Sequence, residues 1–256
     1  MFKKYVVVLI SLCFFYAVGE VEHSETQDIV VESDELIYTD TRDPLERMNR
    51  AIWDFNYFHL DKWILKPVSH TYHDYVPNPI QKGFESFVFN LKEPLSFVNS
   101  LLQFKMEKAA TALWRFVINS TVGLGGLIDV AAKTGLERDI QYFSDTLNFW
   151  HVPTGPYLMI PVLGPSNLRD ITTSFVDYLY FPFEHFNFLE MTLYLLADGL
   201  IDRVNLIPQE PLLENALDSY SFVKETYFQY LYKHNQQKQD IDLETDIELD
   251  FLDELD

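Results

Sequence analysis

Cysteine is almost missing from this chain. Its single copy, Cys13, lies inside the apolar run Tyr5 to Val18, so a chain that has lost that run cannot form an internal disulfide. Basic residues are also scarce. The 19 Lys and Arg face 39 Asp and Glu, for a net charge of −20, which leaves no electrostatic footprint for nucleic acid. The apolar run at the start is shorter than the roughly 20 residues that cross a membrane as a helix. Enzyme signatures are missing as well. No G-x-S-x-G elbow is present, and Gly164-Pro165-Ser166-Asn167 does not match it. Gly123 to Gly126 is not followed by the Lys-Ser/Thr of a phosphate-binding loop. His70 and His73 stand three residues apart with no third ligand at metal spacing. No catalytic residue, metal or cofactor is therefore expected.

What the chain does have is apolar and aromatic. Hydrophobic residues make up 48% of it and aromatics 16%, and such rings favour places where apolar and wet surroundings meet. The acidity sits in the ends. Residues 20–40 hold eight acidic groups and residues 239–256 nine, with no Lys or Arg in either, so the body between is nearly balanced. Lys3 and Lys4 before the apolar run, with Ala17-Val18-Gly19 behind it, read as an export signal over residues 1–19. Two processing routes stand open: cleavage after Gly19, or lipidation at Cys13, where Ile10-Ser11-Leu12-Cys13 loosely matches a lipobox. Residues 20–42 read as an acidic disordered leader and 234–256 as an acidic disordered tail, leaving one helical domain over 43–233.

Within that domain Asp43-Pro44-Leu45-Glu46 reads as a helix start, with Asp43 as cap and Pro44 in the first turn. Lys66-Pro67, Asn78-Pro79 and Glu93-Pro94 repeat the device, which predicts short, sharply bent helices. Prolines 153, 156, 161 and 165 with Gly155 and Gly164 forbid a continuous helix. Tyr157-Leu158-Met159-Ile160 is read there as an ordered loop crossing the fold. Helical spacing returns at Leu189, Leu193, Leu196 and Leu200, and again from Ala216 to Leu231.

The stretch the rest turns on is Lys105 to Asp129. It is a helical run apolar on nearly every face, which empties into Gly123-Leu124-Gly125-Gly126 and restarts at Asp129. Such a helix belongs in a core or in lipid, and the glycines let the chain reverse or flex. Arg115 and Arg169 lie in apolar sequence, where an unpaired charge is costly, so Asp129 and Asp170 are their expected partners; a lipid phosphate is the other candidate. Asp198 and Asp202, one turn apart, read as a solvated helix face or as the lining of a polar lumen.

Several motifs then fall in one order. They are Asp43-Pro44-Leu45-Glu46-x-x-Asn49-Arg50, Phe55-Asn56, Tyr75-Val76-Pro77, Asn90-Leu91-x-Glu93-Pro94 and Arg115-Phe116-x-x-Asn119-Ser120-x-x-Gly123-x-x-Gly126-x-x-Asp129. Gly155-Pro156-Tyr157, Gly164-Pro165-Ser166-x-x-Arg169-Asp170 and Asp218-x-Tyr220-x-Phe222-Val223 follow. The series resembles the MlaA/VacJ family of outer-membrane phospholipid-trafficking lipoproteins. The resemblance implies an all-α, ring-shaped single domain of short amphipathic helices lying in the membrane plane, with irregular loops. It implies a non-enzymatic channel that removes misplaced phospholipids from the outer leaflet of a Gram-negative outer membrane. The lipids would pass to a periplasmic lipid-binding carrier and on to an inner-membrane ABC transporter, with a trimeric porin as a further partner. The segment at Gly123, Gly125, Gly126 and Asp129 matches the family's flexible channel-side loop, and Phe55-Asn56 its polar-aromatic motif. Family members usually carry glycine where this chain has Phe104, Ser144, Asn148 and His151. A periplasmic lipid hydrolase and a soluble helical adaptor are the competing readings.

Overall fold

The computed structural model describes residues 40 and 42–234. The expected signal peptide, Cys13, most of the leader and nearly all of the tail lie outside them. Helices dominate the unit that begins at Arg42. Helix α1 (Glu46–Asp54) passes without a break into a π-helical stretch, π1 (Phe55–Leu65), and then into α2 (Lys66–Tyr75). The chain does not stop before Pro67, because Leu65 and Lys66 keep helical angles. The wider π turns relieve the usual clash of a proline ring with the carbonyl four residues earlier.

Pro79 sits in the first turn of α3 (Asn78–Leu102), where its missing N–H costs nothing, but Pro94 lies inside the same 25-residue helix. The expectation of a helix start there is corrected. An interior proline costs about 3 kcal/mol, and α3 offsets that by packing along its length against α4 (Met106–Thr121), which folds back beside it. The small faces of the pair make the approach close: Ala109 and Ala112 of α4 are buried, while Leu113, Trp114 and Val117 are exposed.

A one-turn helix α5 (Val130–Lys133) and α6 (Phe143–Phe149) lead to the one sheet among the described residues. Its strands β1 (Tyr157–Ile160) and β2 (Gly164–Asn167) form an antiparallel hairpin that pairs Tyr157 with Asn167 and Ile160 with Gly164. The loop expected at Tyr157–Ile160 is therefore a strand. Its partner was hidden because Gly164 and Pro165 are residue types that strands avoid, and proline is tolerated there only because β2 is an edge.

Helices α7 (Leu168–Asp177), α8 (Phe188–Asn205) and α9 (Glu210–Glu214) follow, and a last helix, α10, spans residues 219–234. Two small apolar clusters form, one around Trp53, Tyr157, Met159 and Tyr220, the other around Val88, Phe183, Tyr194 and Ile201. Asp43 does not cap α1, whose N-cap is Leu45. It is fully buried instead, accepting from Asn49 Nδ2 at 2.7 Å and from the Tyr220 hydroxyl, with Lys224 Nζ at 3.4 Å. That contact ties the start of the domain to α10.

Phe104 and His151, two of the positions where the resemblance implies glycine, hold left-handed angles with φ of 59° and 58°. Their loops touch, since the Phe104 ring meets that of Trp150 edge-on at 6.0 Å. Ser144 and Asn148 are ordinary helical residues of α6.

Candidate functional site

The glycine-rich turn after α4 is held at its base. Gly126 N–H donates to the Asn119 carbonyl at 2.8 Å and Ile128 N–H to the Gly123 carbonyl at 2.9 Å. A Cβ on Gly123 would stand 2.3 Å from the Ile128 carbonyl oxygen, and one on Gly126, which has φ of 97°, would stand 2.8 Å from the Asn90 side chain. Close approach, rather than freedom alone, calls for these two glycines. Gly125 has φ of 72° and open space around it. The tip is apolar and exposed at Leu124, Leu127 and Ile128.

Asp129 organises the far side of the turn. Its Oδ1 accepts from the Ala132 N–H that caps α5 and from Asn119 Nδ2, while its Oδ2 takes Arg115 Nη2 at 2.9 Å and Arg138 Nη2 at 2.8 Å. Arg115 is wholly buried. Its Nε donates to Glu93 Oε1 at 2.7 Å and its Nη1 to the Leu136 carbonyl. Burial pushes the Glu93 carboxyl above its ordinary range despite Arg115. Burial acts the same way on Asp129, but hydrogen bonds from Arg115, Ala132 and Asn119 outweigh it and hold that carboxyl down. The Arg115 guanidinium is thus satisfied inside the protein, with Asp129 as one partner and Glu93 as another.

Phe55 and Asn56 face different surroundings. Phe55 is half-exposed, whereas Asn56 is buried and bonded in both directions to the hairpin. Its Nδ2 donates to the Ile160 carbonyl at 2.8 Å and its Oδ1 accepts the Val162 N–H at 2.9 Å. Two turns earlier Asn49 does the same with the Tyr157 carbonyl at 3.2 Å and the Met159 N–H at 2.9 Å. One helix edge thereby completes the free edge of β1 with two amide side chains. Arg169 donates to Asn148 Oδ1 at 3.1 Å and to the Val152 carbonyl at 3.0 Å, and lies 3.5 Å from Asp170. Asp170 itself takes the Asn167 amide at 2.7 Å. The expected residues therefore do not form one site: Arg115 joins Asp129, Asn56 meets the hairpin while Phe55 is exposed, and Arg169 lies beside Asp170 at the start of α7.

Sequence reasoning missed Glu93, Arg138 and Asn49 as members of these groups. The rule that drew attention to Arg115, a charge set in apolar sequence, gives a weaker signal at Glu93, because Lys92 stands beside it. It also missed a cavity of about 1170 Å³ framed by π1, the hairpin tip, α8, α9 and α10. No motif announces that cavity, since its lining comes from four distant stretches. Asp198 of α8 accepts from the buried Lys92 at 2.6 Å, so one of the paired carboxylates is no solvated group. His70 lies 3.0 Å from Glu210, and among the described residues no group of three or more His, Cys, Asp or Glu could hold a metal ion.

The family model described as MlaA lipoprotein matches residues 41–234. The intermembrane phospholipid transport system lipoprotein MlaA of Escherichia coli is 35% identical over 190 residues, covering 73% of this chain and 76% of that one. The Haemophilus influenzae protein of the same name is also 35% identical, over 75% of this chain and 79% of its own length. A protein of Rickettsia typhi is 34% identical over 86% of this chain and 89% of the relative. A solved structure, reported as "Structural basis for maintenance of bacterial outer membrane lipid asymmetry", superposes with a TM-score of 0.69 at 39% identity. That likeness covers 75% of this chain and 97% of the other.

Proposed function

The chain belongs to the MlaA lipoprotein family, and on that premise we propose that it is a non-enzymatic conduit in the outer membrane. It takes phospholipids misplaced in the outer leaflet and hands them to a periplasmic carrier. One observation carries this reading: the usual distribution of side chains is inverted. Among the described residues the buried side chains are polar or charged in twenty-one cases and apolar in twelve. Large apolar residues such as Phe188, Leu163, Trp63, Leu196 and Trp114 are exposed meanwhile. Water does not stabilise such an exterior, since soluble monomers rarely expose large contiguous apolar patches, whereas acyl chains do.

No helix among the described residues is long and apolar enough to cross a membrane. Helices of this kind lie along the interface with their apolar faces in the acyl boundary, and irregular backbone survives at that depth only where protein or a wet cavity covers it. A ring of such helices around polar side chains lets a headgroup pass inside while its tails stay in apolar surroundings. The Gly123–Asp129 turn, with its apolar tip on a fixed base, is the element suited to gate that path. A trimeric porin, a soluble lipid carrier and, beyond it, an ABC transporter complete the route.

The test compares intact cells with and without this chain for the phospholipid that added phospholipase can reach. Loss of the chain should raise the accessible phospholipid, and the chain should stay with outer membranes through a high-salt wash. Equal accessibility in both strains, or release by salt alone, would overturn the reading.

A further inference from the structure

A second cavity lies between α3, the C-terminal end of α7 and α8, outside the Glu93–Arg115–Asp129 network. It measures about 80 Å³, several times the roughly 10–15 Å³ that one water needs. Lys92 of α3 is buried in its wall, where its ammonium meets Asp198 at 2.6 Å and the Tyr142 hydroxyl at 3.3 Å. Asp177, the last residue of α7, lines the same space, and Asp202 stands one turn from Asp198 on α8. One cation thus faces three carboxylates.

The excess charge has no counter-ion. Among the described residues neither Asp177 nor Asp202 joins an ion pair, and Asp177 accepts only the Phe143 N–H at 2.9 Å. Burial lifts both carboxyls above the usual range, Asp177 to about 7, with neighbouring carboxylates adding to each shift. A tyrosine also lacks a partner. Tyr194 is 8% exposed and lines the cavity, yet its hydroxyl makes no hydrogen bond among the described residues. A buried hydroxyl is costly when nothing bonds it. Beside it the rings of Tyr178 and Phe183 meet at 88° with centroids 6.1 Å apart, and Phe183 lies 4.7 Å from Tyr194. Carboxylates next to a corner of aromatic rings suit a cation, because ring faces attract positive charge. A bare metal ion fits less well, since no group of three or more His, Cys, Asp or Glu among the described residues could hold one.

We propose that this cavity binds one small primary ammonium group, carried by a free amine or by an aminoethyl headgroup. Its N–H groups donate to Asp177 and to the Tyr194 hydroxyl, and its charge lies in the corner formed by the three rings. The site goes beyond the conduit reading, because the ammonium is recognised whichever molecule carries it. The protein's own amine already shows the pairing. Lys92 sits against a carboxylate, a tyrosine hydroxyl and the Phe89 ring, whose centroid is 5.1 Å away. Asp177, Tyr194 and the ring corner offer the same set of partners a second time. A quaternary ammonium lacks the N–H groups that the two acceptors require. Exposed Ser174 marks the open side.

The test titrates ethanolamine into the full chain purified in detergent and follows its methylene signal by saturation-transfer NMR, with micelles alone as the baseline. The pH is 8, above the Asp177 value of about 7. Transfer should saturate with ethanolamine concentration. Asp177→Asn and Tyr194→Phe, which keep the shape of each side chain, should each weaken binding roughly tenfold. Parent-like far-UV circular dichroism identifies the variants that have folded. On the parent chain, which needs no variant, choline should bind at least roughly tenfold more weakly than ethanolamine. Transfer that never saturates, or that both folded variants leave unchanged, overturns the site. Choline that binds as tightly as ethanolamine, or sodium chloride that displaces ethanolamine at equal concentration, overturns the assignment to a primary ammonium. Glycerophosphoethanolamine then separates the two sources. Binding at roughly tenfold lower concentration than ethanolamine assigns the site to a headgroup, and equal or weaker binding assigns it to a free amine.

Discussion

Two irregular segments of this protein are each held by side chains, but by opposite chemistry. The hairpin 157–167 is pinned by neutral amides, with Asn49 and Asn56 each giving one donor and one acceptor to the backbone of β1 and the hairpin tip. The turn 122–136 is pinned by charge, with Asp129, Glu93, Arg115 and Arg138 gathered in the interior. An amide pair reproduces a sheet bond and desolvates no ion, so it stabilises by local geometry. A buried ionic cluster attracts strongly but carries a desolvation penalty, so it holds only while every member is present. The charged clamp should therefore fail abruptly and the amide clamp by degrees.

Removing Arg115 gives the largest effect. Arg115→Ala strands the buried Glu93 and leaves Asp129 to Arg138 and Asn119, and a loss of about 3–5 kcal/mol is expected, read from urea unfolding of the detergent-solubilised protein. A drop below about 1 kcal/mol would mean that surface-like pairs, not a buried network, hold the turn.

Asp177 extends the comparison to pH. Burial pushes this carboxyl up to about 7, with Asp145 and Asp170 adding to the shift and the Phe143 N–H opposing it. Its value in the unfolded chain is near 3.9, so the folded state holds the proton more tightly. The stability this group contributes is complete below pH ~4 and disappears as pH rises through 7, a span of up to ~4 kcal/mol. Unfolding midpoints at pH 4.5 and 8 should differ for the parent chain, with Asp177→Asn reducing the difference; an unchanged difference would assign the slope to other groups.

The amide clamp should yield less. Asn56→Ala leaves the Ile160 carbonyl and Val162 N–H without partners, for about 1–3 kcal/mol, and Asn56→Asp, which keeps the acceptor alone, should fall between. Equal losses for both variants would refute two-way pairing. The smallest effect concerns Val162, a β-branched residue at φ of 73°. Asn tolerates that region, and Val162→Asn should raise stability by up to about 1 kcal/mol, seen as a shift in thermal midpoint.

Much of this architecture could be read from residue order and some could not. Helical spacing gave α8 and α10, and an apolar setting marked Arg115 as needing a partner. Pro94 misled, because local chemistry says that a proline opens a helix while packing of α3 against α4 carries the helix through it. Tyr157–Ile160 misled because half of a hairpin is hard to recognise when the other half begins Gly-Pro. Asp43 had the right type and place for a cap, yet Tyr220 and Lys224, distant in the chain, drew it inside. The positions usually held by glycine divide in the same way. Phe104 and His151 adopt the left-handed backbone themselves, and no local rule separates them from Ser144 and Asn148.

Residue order alone determined the helical class, the nearly charge-balanced body between acidic ends, the family and the polar groups that require burial, because each depends on composition or on spacing along one element. Tertiary structure decided which acid meets which base, that two asparagines complete a strand edge, and that four separate stretches enclose a cavity. Those outcomes depend on distances between elements far apart in the chain, which periodicity along a single element does not encode.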